Sequence, residues 1–110
     1  MKFVDFVSST AIRPNLAAGG KEDVIREMTL ALVESGDIQE SEAESTIKAI
    51  TKREELGSTG IGRGVAVPHT KHPSVDRLVG TVGVSVEGVD FKSLDGEKVN
   101  LFFLLISPPD

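Results

Sequence analysis

The 110-residue chain contains no cysteine, tryptophan or tyrosine, and its only aromatic side chains are five phenylalanines. Without cysteine there is no disulfide framework, no thiolate zinc site and no thiolate nucleophile. So few aromatics leave little with which to stack nucleobases. The chain also lacks a basic excess. Twelve Lys and Arg stand against 17 Asp and Glu, for a net charge of −5 and a pI near 5.0. That balance argues against a nucleic-acid partner, which calls for a basic face. Long apolar runs are missing too. The longest, LFFLLI at 101–106, falls far short of the about 20 residues that cross a bilayer. The N-terminal stretch MKFVDFVSSTAIRP has neither the apolar core nor the cleavage pattern of a signal peptide. These absences predict a cytoplasmic protein with no direct membrane insertion.

What is present fits one domain over residues 1–110, a size at which roughly 65% of the unfolded chain's surface can be buried. KEDVIREMTLALVESG (21–36) places Val24, Ile25, Met28, Ala31 and Leu32 on one helical face. Glu22 and Asp23 suit its first turn, and Gly36 suits its end. SEAESTIKAITKREELG (41–57) predicts a second helix with Ala43, Ile47 and Ile50 buried. Ser41 and Glu44 have the spacing of a capping box, and Gly57 ends the helix.

The second half changes period. Val65 to Val67 is a short strand candidate ending at Pro68. TVGVSV (81–86) alternates, with Val82, Val84 and Val86 on one side of a half-buried strand. Asp95-Gly96 marks a turn. KVNLFFLLIS (98–107) reads as an inner strand buried on both faces. TAIRPNL (10–16) reads as an edge strand, the one place that tolerates Pro14. The fold class is therefore α/β (α+β), a mixed β-sheet flanked by helices. The apolar strand lies four residues from the end of the sequence. It predicts that its outer face is covered by the helices at 21–57, by a further element or by a partner.

The chemistry concentrates in GRGVAVPHTKHP (62–73), which holds both histidines, His69 and His72. Three readings compete. A metal site could use His69, His72 and Asp76. However, Pro68 and Pro73 oppose a regular helix through the pair, and a third ligand in a closed geometry is wanted. A phosphate-cradling loop could form from GSTGIGRG (57–64). That loop runs from helix to strand, opposite to the nucleotide-binding motifs, so a flexible helix-to-strand connection is the expected reading. A nucleophilic histidine fits the third reading. Neutral imidazole can take a phosphoryl group on one ring nitrogen while the other is held by a hydrogen bond. His69, after a rigid proline, would be fixed yet exposed, with Arg53 and the 57–64 N–H groups near in sequence to meet phosphoryl oxygens. An ordinary histidine at a strand end remains the alternative.

The stretch REELGSTGIGRGVAVPHTK (53–71) closely resembles the histidine-containing segment of one class of enzyme IIA domains in the bacterial phosphoenolpyruvate-dependent sugar phosphotransferase system. That is the fructose, mannitol and nitrogen-regulatory class. VDFVSSTAIRPNLAAGGKEDVIREMTLALVESG resembles the class's N-terminal strand and first helix, and LFFLLISPPD its central strand and following loop. The resemblance implies a phosphoryl carrier that accepts the group from the phosphocarrier protein HPr and passes it to an enzyme IIB domain. In the nitrogen-regulatory branch the phosphorylation state instead controls a regulatory target.

Carried over residue by residue, His69 would be the phosphoryl acceptor and Arg53 would meet the phosphoryl charge. Ser58, Thr59, Gly60, Gly62 and Pro68 would belong to the loop that shapes the pocket. No cofactor and no metal are implied. His72 matches no functional position and is expected on the surface. Arg63 and Lys71 are expected to be ordinary solvated charges. The class continues past the strand ending near Ile106 with a second active-site histidine and further helices. The sequence departs from it there, so a C-terminally incomplete domain lacking those helices is expected.

Overall fold

The computed structural model describes residues 5–17 and 19–109. Residues 1–4 of the N-terminal stretch, Ala18 and Asp110 lie outside the described residues. Two helices, α1 (Lys21–Glu34) and α2 (Ala43–Leu56), precede five strands. The strands are β1 (Gly60–Gly62), β2 (Val65–Ala66), β3 (His69–Lys71), β4 (Val79–Val89) and β5 (Val99–Ser107). They form one mixed sheet centred on β5. β4 pairs antiparallel along one edge of β5. β2 and then β3 line its other edge end to end, both parallel to it, and β1 closes a hairpin outside β2. The predicted mixed sheet with helices is the observed one.

The apolar periodicity of α1 is realised. Val24, Ile25, Met28, Ala31 and Leu32 are all exposed by 1% or less. Burying each of the larger ones contributes about 1.5–3 kcal/mol relative to leaving it in water. Gly36 takes φ +86° past the helix end, and the Asp37 N–H returns to the Leu32 carbonyl at 2.9 Å, closing the last turn. In α2 the predicted stripe of Ala43, Ile47 and Ile50 is buried.

The capping box is not formed. Glu40–Glu42 make a 3-10 turn and the α-helix begins after it, with no side-chain cap. The Glu44 carboxylate turns instead to Arg26 of α1, at 2.6 and 3.0 Å. This pairing lowers the Glu44 pKa and raises that of Arg26. A charged fork across two helices outcompetes one backbone N–H.

The strands depart from expectation in three ways. β5 is sealed on one face only. Phe102, Leu104 and Ile106 are fully buried, whereas Leu101, Phe103 and Leu105 are half-buried. The physical reason is that α1 packs on β4 and β5 over the face where Met28 meets Gly83. On β4 it is Thr81, Gly83 and Ser85 that face the helices, while Val82 and Val84 are half-buried on the far side and Val86 is exposed. The inner face needs small residues. A Cβ on Gly83 would stand 2.9 Å from a Leu16 methyl and 3.1 Å from the Met28 sulfur.

The 10–16 segment, predicted as an edge strand, makes only an isolated parallel bridge, Arg13 to Gly83, after a 3-10 turn at Ser9–Ala11. Pro14 has no N–H to continue a ladder. Where the sequence indicated a turn, Gly96 has φ +74° and its N–H bonds Ser93 O at 3.0 Å.

Candidate active site

α2 delivers the first part of the site. Arg53 lies half-buried in its last turn, and its Nη1–H donates to the Gly57 carbonyl at 2.8 Å. A cation here satisfies a carbonyl that the helix leaves open and sits favourably on the helix dipole. Gly57, at φ 163°, continues in extended backbone.

The loop that follows is tied down residue by residue. The Ser58 hydroxyl donates to Phe91 O at 2.5 Å and accepts the Gly60 N–H at 3.0 Å. Thr59 is 5% exposed, and both its N–H (3.0 Å) and its hydroxyl donate to Glu54. Gly60 passes so near Ser93 that a Cβ would meet its backbone Cα at 3.0 Å. The side chains of Ser58 and Thr59 thus hold the loop from within. The segment expected as a plain connection is in fact β1 and a tight hairpin. Its turn places Gly62, Arg63 and Gly64 at φ +101°, +56° and +79°.

Arg63 is held in that left-handed conformation by Asp95. The Asp95 carboxylate accepts the Arg63 N–H at 2.9 Å and the Glu97 N–H at 3.0 Å. These two backbone bonds, Arg63's first, hold the Asp95 carboxyl below the usual carboxylate range.

β2 ends at Ala66 and the ladder is interrupted at Val67 and Pro68, because proline offers no N–H. The buried Pro68 still accepts the Leu105 N–H at 3.0 Å. β3 then resumes pairing with His69 opposite Leu105. His69 is exposed, and its Nδ1 lies 2.9 Å from the Val67 carbonyl. A carbonyl only accepts, so Nδ1 carries a proton, and in the neutral ring Nε2 then keeps its lone pair. The geometry therefore presents one free imidazole nitrogen on an exposed strand, on a ring fixed by its neighbour. β3 packs against α2, the helix that carries Arg53 in its last turn.

His72, expected on the surface, is only 9% exposed. It turns beneath α2, where its Nδ1 accepts the Ser74 N–H at 3.0 Å and its Nε2 lies 3.2 Å from Ser45 Oγ. The Thr46 hydroxyl lies 3.3 Å from Nδ1. A polar pair on α2 waits at this point, so burial leaves the ring satisfied. The two histidines therefore do not share a site. Among the described residues no group of three or more His, Asp or Glu is arranged to hold a metal. Arg63 and Lys71 are exposed, as expected.

Sequence reasoning passed over Glu54 and Lys21. The Glu54 side chain is 3% exposed and its Oε2 pairs with Lys21 Nζ at 2.7 Å. Lys21 Nζ also lies 5.0 Å from the centre of the Phe91 ring. The signal was available. Lys21 opens α1 and Glu54 stands in the last turn of α2, each at the end of its helix that the dipole disfavours.

Comparison with known proteins agrees with this architecture. Residues 5–110 match the family described as "Phosphoenolpyruvate-dependent sugar phosphotransferase system, EIIA 2". The chain belongs to that EIIA family. It is 38% identical over 105 residues to the fructose-specific EIIABC component of Bacillus subtilis, covering 96% of this chain and 16% of that protein. It is 32% identical over 108 residues to the nitrogen regulatory protein of Bradyrhizobium diazoefficiens, covering 98% of this chain and 69% of that one. Among solved structures, the nitrogen regulatory protein IIA-Ntr of Neisseria meningitidis superposes with a TM-score of 0.85 at 30% identity. That match covers 96% of this chain and 70% of the other. The EIIA family thus includes both sugar-transport and nitrogen-regulatory relatives of this chain. No helix among the described residues is long and apolar enough to cross a membrane.

Proposed function

We propose that this EIIA domain is a phosphoryl carrier in which His69 accepts a phosphoryl group on Nε2 and passes it on. The observation that supports this most directly is the exposed His69 ring with Nδ1–H bonded to Val67 O, which leaves Nε2 as the free nitrogen. The donor would be the phosphohistidine of an HPr-type carrier and the acceptor an enzyme IIB domain, both cytoplasmic partners.

In the forward step the Nε2 lone pair attacks phosphorus in line. The Nε2–P bond forms as the donor's N–P bond breaks, and the donor nitrogen keeps that electron pair. The His69 ring gains positive charge, which strengthens its Nδ1–H bond to Val67 O. Arg53 would meet the phosphoryl oxygens with its planar fork. The loop residues Ser58, Thr59, Gly60, Gly62 and Pro68 keep the backbone leading to His69 in place. Phosphoryl transfer asks mostly for such positioning and charge stabilisation, and no cofactor is called for.

The test is intact mass after incubation with phosphoenolpyruvate, enzyme I and HPr at mildly alkaline pH, where phosphohistidine survives. One added phosphoryl group, absent in His69→Ala, is the expected result. No addition, or an addition that persists in His69→Ala, overturns the reading. A second reading is supported by the likeness to nitrogen regulatory proteins. There the phosphorylation state of His69 controls which target the domain binds. Transfer onward to a purified IIB domain favours transport, whereas a phosphorylation-dependent complex without onward transfer favours regulation.

A further inference from the structure

We propose that the Lys21–Glu54 pair, whose carboxylate is buried, is a positioning device for His69, acting through a hydrogen-bond chain that fixes which ring nitrogen is free. This deepens the phosphoryl-carrier reading and rests on His69 being the acceptor. Lys21 Nζ donates to Glu54 Oε2 at 2.7 Å. Glu54 Oε1 accepts the Thr59 N–H at 3.0 Å, and the Thr59 hydroxyl as well. The Thr59 carbonyl accepts the Val67 N–H at 3.1 Å. The Val67 carbonyl accepts the His69 Nδ1–H at 2.9 Å. The chain runs from the start of α1, through the end of α2, to the exposed ring.

The link at Val67 is where this matters. Val67 falls in the gap of the ladder, after β2 pairs through Ala66 and before β3 resumes at His69. Val67 is therefore held on its N–H side by Thr59, and Thr59 by Glu54. The charges point the same way. A carboxylate 3% exposed is costly to bury, and for fold stability alone apolar residues of similar volume would serve as well. Both members also stand against their helix dipoles. Such violations of local preference are expected where function needs them. An acid is useful here because one carboxylate takes two donors from Thr59. Lys21 neutralises it, so the phosphoryl group does not meet a bare negative charge.

The test reads the ring directly. Histidine-selective 15N NMR of the unphosphorylated protein should show His69 protonated on Nδ1. It should show His72 protonated on Nε2, because its Nδ1 accepts the Ser74 N–H. In Glu54→Ala the His69 signals should move toward a mixture of tautomers while those of His72 stay. The rate of transfer from phospho-HPr should fall about 10- to 100-fold, as loss of positioning does. Glu54→Gln, which keeps an oxygen for the Thr59 N–H, should restore most of both. A His69 tautomer and a rate unchanged in Glu54→Ala overturn the proposal. If Glu54→Ala does not fold, Lys21→Met decides. A shifted His69 tautomer supports the device, and an unchanged tautomer and rate mark the pair as purely structural. Because the tautomer is read without phosphate, a wild type that takes no phosphoryl group would defeat the carrier reading while leaving this one measurable.

Discussion

His69 and His72 stand three residues apart and live in opposite surroundings. His69 lies on the exposed edge of β3 with one ring nitrogen bonded to the backbone. His72 lies under α2 with both ring nitrogens close to polar atoms of Ser45, Thr46 and Ser74. Even the tautomers differ, Nδ1–H in the first and Nε2–H in the second, because a carbonyl faces one Nδ1 and an N–H faces the other. What separates a candidate acceptor from a structural residue is therefore neither the residue type nor the exposure alone. It is whether one nitrogen keeps an unshared lone pair that solvent and a docked partner can reach.

The largest expected effect tests this contrast outright. His69→Asn should abolish phosphoryl acceptance from phospho-HPr, whereas His72→Asn should keep it. A phosphoryl group that moves to His72 in the first variant, detected by peptide mapping, would collapse the distinction. Next in size is Arg53→Ala. If Arg53 meets developing charge, the transfer rate should fall about 100-fold, the scale on which a single charge-stabilising donor acts. Arg53→Lys should recover only part of it, since lysine offers a point charge rather than a fork. A rate within twofold of wild type in Arg53→Ala would reduce Arg53 to a helix cap.

His72→Ala should act on the other side of the comparison. It leaves the half-buried Ser74 N–H without its acceptor, which costs about 1 kcal/mol. Denaturant midpoints should drop accordingly while the transfer rate per folded molecule stays. A slowed transfer in a fully folded His72→Ala protein would mean that His72 takes part in the site after all.

Much of this contrast could not be read from the sequence. His69 could be singled out because proline, apolar strand and glycine loop surround it locally. The fate of His72 depended on Ser45 and Thr46, residues on another element that no local pattern ties to it. The two helices were legible because their periodicity runs through whole elements. β1 was not, since Gly60–Gly62 is too short and too glycine-rich to show any period. The inner face of β4 was misread because close packing against Leu16 and Met28 selects glycine and small side chains there, while hydrophobicity pointed to the valines. Glu54 was missed because helical patterning treats an acid as solvated. Its burial follows from Lys21 and Thr59, brought to it by the tertiary fold.

The smallest effect concerns the hairpin before His69. Asp95 clamps the turn by accepting the N–H groups of Arg63 and Glu97, and its carboxyl is held below the usual range by those bonds, Arg63's first. A carboxyl whose folded pKa is depressed stabilises the fold fully above the unfolded value, about 3.9 for Asp, and loses that contribution as pH falls through the folded value. Asp95→Ala should therefore be less stable than wild type at neutral pH, and the difference should shrink as the solution is acidified below pH ~4. At neutral pH, amide exchange should quicken over residues 60–66 and stay unchanged over residues 72–75. A stability difference independent of pH would mean that the charge on Asp95 is not what holds the turn. Equal quickening around His72 would mean that the two histidines, so differently housed, are held by one and the same cooperative unit.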